Sequence, residues 1–255
     1  MTNIPDNSLT LKQSDSGYRY SIEPFLLANF VHLTPGGRVL DVGTGCGIIP
    51  LLLARRDPTT MFTAIEIQES LHQLAEKNVA INEFTSQIKV LQGDFLLNDP
   101  RISCEPFDLI LSNPPYRKIQ TGRINPGQEK AIARHELKIN LEQLVEKSAS
   151  LLKANGKTAF AYPPHRLQEV LDALGMENLF PARLRFIHGC EGADAKIFLV
   201  EAVLSRKTDC IVEAPLYVYN KDETYTAEME KIYDSFNYFD RPDHIQEKFD
   251  GNFSG

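Results

Sequence analysis

Between Val39 and Gly47 the chain reads Val-Leu-Asp-Val-Gly-Thr-Gly-Cys-Gly, and this stretch restricts the fold more than any other. An apolar run (Val39, Leu40, Val42) carrying Asp41 ends in glycines at alternate positions, Gly43, Gly45 and Gly47. A helical apolar pattern follows at once: Ile48, Ile49, Leu51, Leu52, Leu53, Ala54. Strand, tight turn and helix in that order make the first unit of a nucleotide-binding α/β domain. Glycine serves there because the turn bends sharply and a ligand must lie against bare backbone. Roughly twenty residues on, a second apolar run, Met61–Ile65, closes on Glu66 and Ile67, where an acidic side chain can hold ribose hydroxyls. The spacing is G-x-G-x-G, because Ile48 stands where a dinucleotide fingerprint places its third glycine. Taken alone, an ordinary glycine-rich strand–helix turn reads the same way.

With 255 residues, the chain has room for one large domain with short additions. A net charge of −7 gives no general affinity for polyanions, so any grip on nucleic acid must be local. The four cysteines (Cys46, Cys104, Cys190, Cys210) form no C-x-x-C pair and read as reduced cytosolic thiols. The six histidines form no H-x-x-x-H or H-E-x-x-H pair, so no metal is expected. No basic-then-apolar leader opens the chain, and Phe25–Leu33 is too short to span a bilayer; a cytoplasmic protein without a membrane partner is expected.

After a polar start, Gly17–Ile22 alternates like a short strand, and Glu23 and Pro24 open an apolar helix. From Arg38 onward strands and helices alternate, which predicts a parallel sheet. Strands are expected at Arg38–Val42, Met61–Ile65, Ile88–Leu91, Phe107–Leu111 and Lys157–Tyr162. Helices are expected at Ile48–Arg56, Glu69–Asn82, Leu137–Leu152 and Pro164–Leu174. Ala182–His188 and Ile197–Leu204 read as an antiparallel edge, Ile211–Val218 as one more possible strand, and Thr224–Tyr233 as a short helix. The expected division is an N-terminal extension and helix over 1–34, the main domain over 35–220, and a C-terminal helix with an acidic tail over 221–255.

Each parallel strand ends on a polar residue or turn: Gly43, Glu66, Asp94, Asn113. In open α/β sheets ligands bind outside the carboxyl ends of the strands, so four such ends form a constellation. Asp94 can accept from an adenine amine with Phe95 beside the ring; by itself it reads equally as a turn or helix-capping residue. Asn113-Pro-Pro-Tyr116 is the second specific motif. Two prolines fix the backbone after a buried strand and leave carbonyls that no local N–H can use. Asn113 Oδ1 and the Pro114 carbonyl can together accept both hydrogens of an –NH2 group, and Tyr116 offers a face to a planar base. A strand-ending turn with a packed tyrosine is the plain alternative.

The G-x-G-x-G turn with Asp41 two residues before it resembles the S-adenosylmethionine motif of class I methyltransferases, and Asn113–Tyr116 resembles the (D/N/S)-P-P-(Y/F/W) signature of the amino methyltransferases. More narrowly, Gly17–Ala28 and Leu216–Tyr225 are similar to segments of the bacterial tRNA(Val) adenine-N6 methyltransferase family. That resemblance spans approximately Gly17 to Tyr233. It implies a Rossmann-like fold with a mostly parallel seven-stranded sheet, an antiparallel edge strand and helices on both faces. It also implies S-adenosylmethionine as cofactor, S-adenosylhomocysteine as product, Asp41, Gly43, Gly45, Gly47, Glu66, Ile67, Asp94, Phe95 and Asn113 around the cofactor, and Asn113, Pro114 and Tyr116 at the target amine. The substrate implied is the adenosine beside the anticodon of a tRNA, modified by a monomer.

Competing readings share the amine trap. A ribosomal-RNA guanine-N2 methyltransferase fits the same motif. A protein-glutamine N5-methyltransferase acting on release factors carries it too, but has a helical N-terminal domain of many tens of residues, and little sequence precedes Arg38. A DNA adenine methyltransferase needs a recognition domain, and a scaffold protein has no use for Asn113–Tyr116. The stretch 117–138 bears on the choice. Arg117, Lys118, Arg123, Lys130, Arg134 and Lys138 stand against Glu129 and Glu136, six basic residues against two acidic, a net +4. It is expected to be a long substrate-closing loop that contacts RNA phosphates, with Arg183, Arg185, Arg206 and Lys207 extending the patch; a solvated loop is the alternative.

Overall fold

The computed structural model describes residues 9–12, 21–114 and 140–236. Seven helices are defined among these: α1 (Glu23–Phe30), α2 (Ile48–Arg56), α3 (Glu69–Ile81), α4 (Pro100–Ser103), α5 (Leu141–Leu151), α6 (Leu167–Met176) and α7 (Ala227–Ser235). The strands are β1 (Arg38–Val42), β2 (Met61–Glu66), β3 (Ile88–Gln92), β4 (Phe107–Ser112), β5 (Leu152–Tyr162), β6 (Leu179–His188), β7 (Ala195–Leu204), β8 (Ile211–Val212) and β9 (Leu216–Tyr217).

One sheet contains all nine, in the order β3-β2-β1-β4-β5-β7-β6-β8, with β9 also on β6. Only β7 runs against its neighbours. The chain order reverses between β1 and β4, where the crossover helices leave a crevice at the carboxyl ends of the strands. Nine strands form where seven were expected. The single strand foreseen over Ile211–Val218 is broken into β8 and β9, both paired with the outer edge of β6. Pro215 stands between them and has no N–H to give the ladder.

Strand side chains alternate between two cores, as the two-residue period of a strand requires. Val39, Phe62, Ala64, Leu109, Leu111, Ala159 and Leu199 face the core built with α1, α2 and α7. Leu40, Val42, Ile65, Ile110, Phe160 and Phe198 face the one built with α4, α5 and α6. Helix α1 buries Pro24, Phe25, Leu26, Leu27, Ala28 and Phe30, apolar residues all round its axis, so it must be enclosed. Phe25 packs edge-on to Tyr233 of α7 at 5.0 Å. The carboxyl end of α1 is closed by Arg56, whose guanidinium donates to the Ala28 and Val31 carbonyls at 2.7 Å each. Helix α5 opens with a reciprocal capping box between Asn140 and Gln143.

Candidate active site

Leaving β1 at Val42, the chain enters the turn with Gly43, Gly45 and Gly47 all at positive φ (70°, 59° and 83°). A methyl group on Gly43 or Gly45 would meet nothing within 4 Å, so this side of the turn is open. Gly47 is glycine for a second reason: a Cβ there would lie 3.2 Å from Ala75 Cβ, where α3 crosses the turn. The neighbouring strands fix the turn's backbone. Gly43 and Thr44 both donate to the Ile65 carbonyl, at 2.9 and 3.1 Å. Glu66 is 4 % exposed; its Oε2 accepts from Gly45 N–H and its Oε1 from Gln68 N–H, each at 2.9 Å. The half-buried Ile67 follows it at the same edge.

Asp41 is 1 % exposed. Its carboxylate oxygens and the buried Thr44 hydroxyl oxygen make no well-formed hydrogen bond, although the Thr44 hydroxyl approaches the carboxylate. Burial pushes the Asp41 pKa up to about 7; the nearby Thr44 hydroxyl opposes the rise and the Glu66 charge adds to it. Buried polar atoms left under-satisfied are costly and rare in a finished core, and here they lie under the open glycine turn. A ligand with a cationic, hydrogen-bonding end fits that deficit. Cys46, inside the turn, is no nucleophile, because burial raises its thiol pKa to about 11.

Strand β4 runs beside β1, and Ser112 Oγ donates to the Val42 carbonyl at 2.7 Å. That bond sets the start of the Asn113-Pro114 segment next to the glycine turn. Asn113 and Pro114 are half-buried. Tyr116, Arg117, Lys118, Arg123, Lys130 and Arg134 lie outside the described residues.

Two expected site residues also have partners within the fold. Asp94 shapes the turn after β3: its Oδ1 accepts from Leu96 N–H at 3.0 Å, the role a turn residue plays. Phe95 is 2 % exposed and packs in the second core with Ile65, Leu91 and Ile102. The proposed extension of the basic patch fails on topology. Arg183 binds Glu213 Oε1 and the Phe30 carbonyl, and Arg185 binds Glu228 Oε1 and the Ala214 carbonyl, so their charges are spent within the fold. Arg206 and Lys207 follow β7, whose reversed direction carries them to the sheet edge opposite Asn113. Sequence reasoning missed Thr44 and Ser112. Their positions at strand ends were visible, but what they touch was not.

Among the described residues, no three His, Cys, Asp or Glu side chains are grouped to hold a metal ion, and no helix is long and apolar enough to cross a membrane.

A β1 glycine turn braced by the acid ending β2, beside an Asn-Pro pair ending β4, in a sheet of this order, defines a class I methyltransferase. The family profile described as methyltransferase small domain matches residues 21–174. The tRNA1(Val) (adenine(37)-N6)-methyltransferase of Pedobacter heparinus is 32% identical over 181 residues, which are 71% of this chain and 75% of that protein. The chain belongs to this methyltransferase family. Solved structures agree on the fold. A predicted O-methyltransferase from Agrobacterium tumefaciens superposes with a TM-score of 0.67 at 21% identity, over 86% of this chain and 99% of that one. A geranyl diphosphate C-methyltransferase from Streptomyces coelicolor, solved with S-adenosyl-L-homocysteine, gives 0.52 at 10% identity, over 71% and 74%.

Proposed function

We propose that this chain methylates the exocyclic N6 of an adenosine in tRNA, at position 37 beside the anticodon of tRNA(Val), with S-adenosylmethionine as donor. The observation that carries the reading is the placement of Asn113 and Pro114 one strand away from a glycine turn whose floor holds the buried, under-satisfied Asp41 and Thr44. The printed activity of the Pedobacter relative supports the substrate.

In this reading the Gly43–Gly47 turn is the bed of the cofactor. Asp41 and Thr44 meet its amino-acid end and Glu66 its ribose hydroxyls. Ile67 supplies apolar contact, and Asp94 takes the adenine amine. Bound there, the cofactor would supply a methyl group activated on a sulfonium, with the neutral thioether S-adenosylhomocysteine as leaving group. The rest is positioning by the chain. Lone-pair delocalisation into the ring makes the adenine N6 a poor nucleophile. Accepting its two hydrogens at Asn113 Oδ1 and the Pro114 carbonyl favours a pyramidal nitrogen with its lone pair turned toward the methyl group. Holding reacting atoms about 3 Å apart is worth much of the barrier. Asn113 is neutral and takes no proton, so the proton leaves to water after transfer. Tyr116 stacks on the base, and Arg117, Lys118, Arg123, Lys130 and Arg134 hold phosphates.

Incubation with radiolabelled S-adenosylmethionine and separate pools of tRNA, ribosomal RNA and release factors tests this. Label is expected in tRNA, released on digestion as N6-methyladenosine. Label in ribosomal RNA as N2-methylguanosine, or in release factor alone, overturns the substrate while keeping the amine trap.

A further inference from the structure

Asn78 in helix α3 and Asn82, its carboxyl-terminal cap, stand one turn apart and grip the backbone of a distant segment. Asn78 is 0% exposed. Its Oδ1 accepts from Lys12 N–H at 2.8 Å and its Nδ2 donates to the Lys12 carbonyl at 3.0 Å. Asn82 repeats the pattern on Thr10, accepting from its N–H at 2.9 Å and donating to its carbonyl at 2.8 Å. Alternate residues of the segment 9–12 are thus bound as a neighbouring strand would bind them, by side chains instead of a backbone ladder. Leu9 is buried and Leu11 packs on the first core.

The second hydrogen of Asn78 Nδ2 goes elsewhere. It donates to the Cys46 carbonyl at 2.9 Å, inside the glycine turn. The N–H of that same Cys46–Gly47 peptide unit donates to the Thr44 carbonyl at 3.0 Å. The Cys46–Gly47 peptide plane adjoins a glycine at φ 83°, a residue with few steric limits of its own, and these two hydrogen bonds pin it from opposite sides. One amide therefore joins the N-terminal segment to the turn.

We propose that Asn78 is a positioning residue for cofactor binding and that residues 9–12 form a strap coupled to the occupied site through it. The proposal rests on the cofactor reading of the Gly43–Gly47 turn. Coupling between two bound elements is reciprocal: what the strap adds to cofactor affinity, the cofactor adds to strap attachment.

The test is hydrogen exchange and calorimetry on the full chain with S-adenosylhomocysteine. In the wild type, ligand should slow exchange at the Thr10 and Lys12 amides. Asn82→Ala, whose side chain touches the strap and the Asn78 carbonyl but not the turn, should lose that protection and bind ligand more weakly. Asn78→Ala should bind about tenfold more weakly, the effect of one lost structural hydrogen bond, and raise KM for the methyl donor with kcat unchanged. Asn82→Ala keeps the test decisive if Asn78→Ala does not fold. Wild-type binding with unchanged strap exchange, and wild-type affinity in Asn82→Ala, overturns the coupling and leaves the cofactor site standing. A wild-type chain that does not bind S-adenosylhomocysteine overturns the site reading, and the coupling with it.

Discussion

Glu66 Oε2 accepts the Gly45 N–H at 2.9 Å, so the acid that ends β2 braces the turn that ends β1. Its other oxygen is engaged by Gln68 N–H. A carboxylate oxygen has two lone pairs, so both can still receive ribose hydroxyls while holding the backbone. Glu66→Ala removes the brace and the ribose contact together. Calorimetry should show S-adenosylhomocysteine affinity falling by on the order of 1.5–3 kcal/mol, the worth of hydrogen bonds to a charged group. An unaltered affinity would remove Glu66 from the cofactor site.

Asp41 supplies a pH dependence. Its folded pKa, raised by burial to about 7 from 3.8, means that the native state keeps this proton to higher pH than the unfolded chain does. The stability it contributes while protonated is therefore lost as pH rises from about 4 through about 7, by on the order of 4 kcal/mol. Asp41→Asn should melt higher than wild type at about pH 8 and nearly level with it at about pH 4. A cationic cofactor end draws the carboxylate into its charged form, so wild-type affinity should increase between about pH 6 and about pH 8 and the Asn variant should lose that slope. A slope that survives in the variant assigns the titration to another group.

Gly43 and Gly47 separate ligand space from packing space. Gly47→Ala adds to the φ strain of about 1–2 kcal/mol a Cβ at 3.2 Å from Ala75 Cβ. It should lower the melting temperature of the free protein the more. Gly43→Ala carries the strain alone, into open space, and should chiefly cost cofactor affinity. Equal loss of stability, with normal binding in Gly43→Ala, would mean that no ligand lies on this turn.

The first βαβ units were legible because alternating glycines after an apolar run, followed by a helical period, leave few other folds. Glu66 was legible as an acid at a strand end, but not as a brace, since its partner lies one strand away. That Phe95 packs in the second core was not legible, because adjacency to Asp94 says nothing of which way a ring turns after a tight bend. Arg183 looked like an exposed cation because its partner Glu213 comes thirty residues later, and only pairing of β8 with β6 brings them together. Asn78 and Asn82 were not singled out within the expected helix Glu69–Asn82. Their one signal is position, on the same stripe as the buried Ala75 and Val79.

Asn113→Ala should abolish methyl transfer while lowering cofactor affinity far less, because its proposed part in the reaction is to hold the target amine. Tyr116→Ala should be severe and Tyr116→Phe mild, since stacking needs the ring and not the hydroxyl. Single-turnover rates with saturating tRNA measure both. Near-normal turnover in Asn113→Ala ends the amine-trap reading, and a severe Tyr116→Phe would make the hydroxyl the working group.

The RNA grip must overcome a chain of net charge −7, and the stretch 117–138 is the local excess of positive charge that follows Asn113–Tyr116 in sequence. Phosphate contacts release counterions, so binding weakens with salt in proportion to the number of contacts. Replacing Arg117, Lys118 and Arg123 together by Ala should raise KM for tRNA and flatten the salt dependence by up to about three phosphate contacts. Cofactor affinity should be unchanged, since none of the three is assigned to that site. The salt slope is the discriminating quantity, because misfolding lowers activity at every ionic strength without changing how many phosphates are held. If the triple variant methylates tRNA with the wild-type KM and salt slope, these residues do not hold RNA, and a protein amide becomes the better substrate for the same Asn113–Pro114 acceptors.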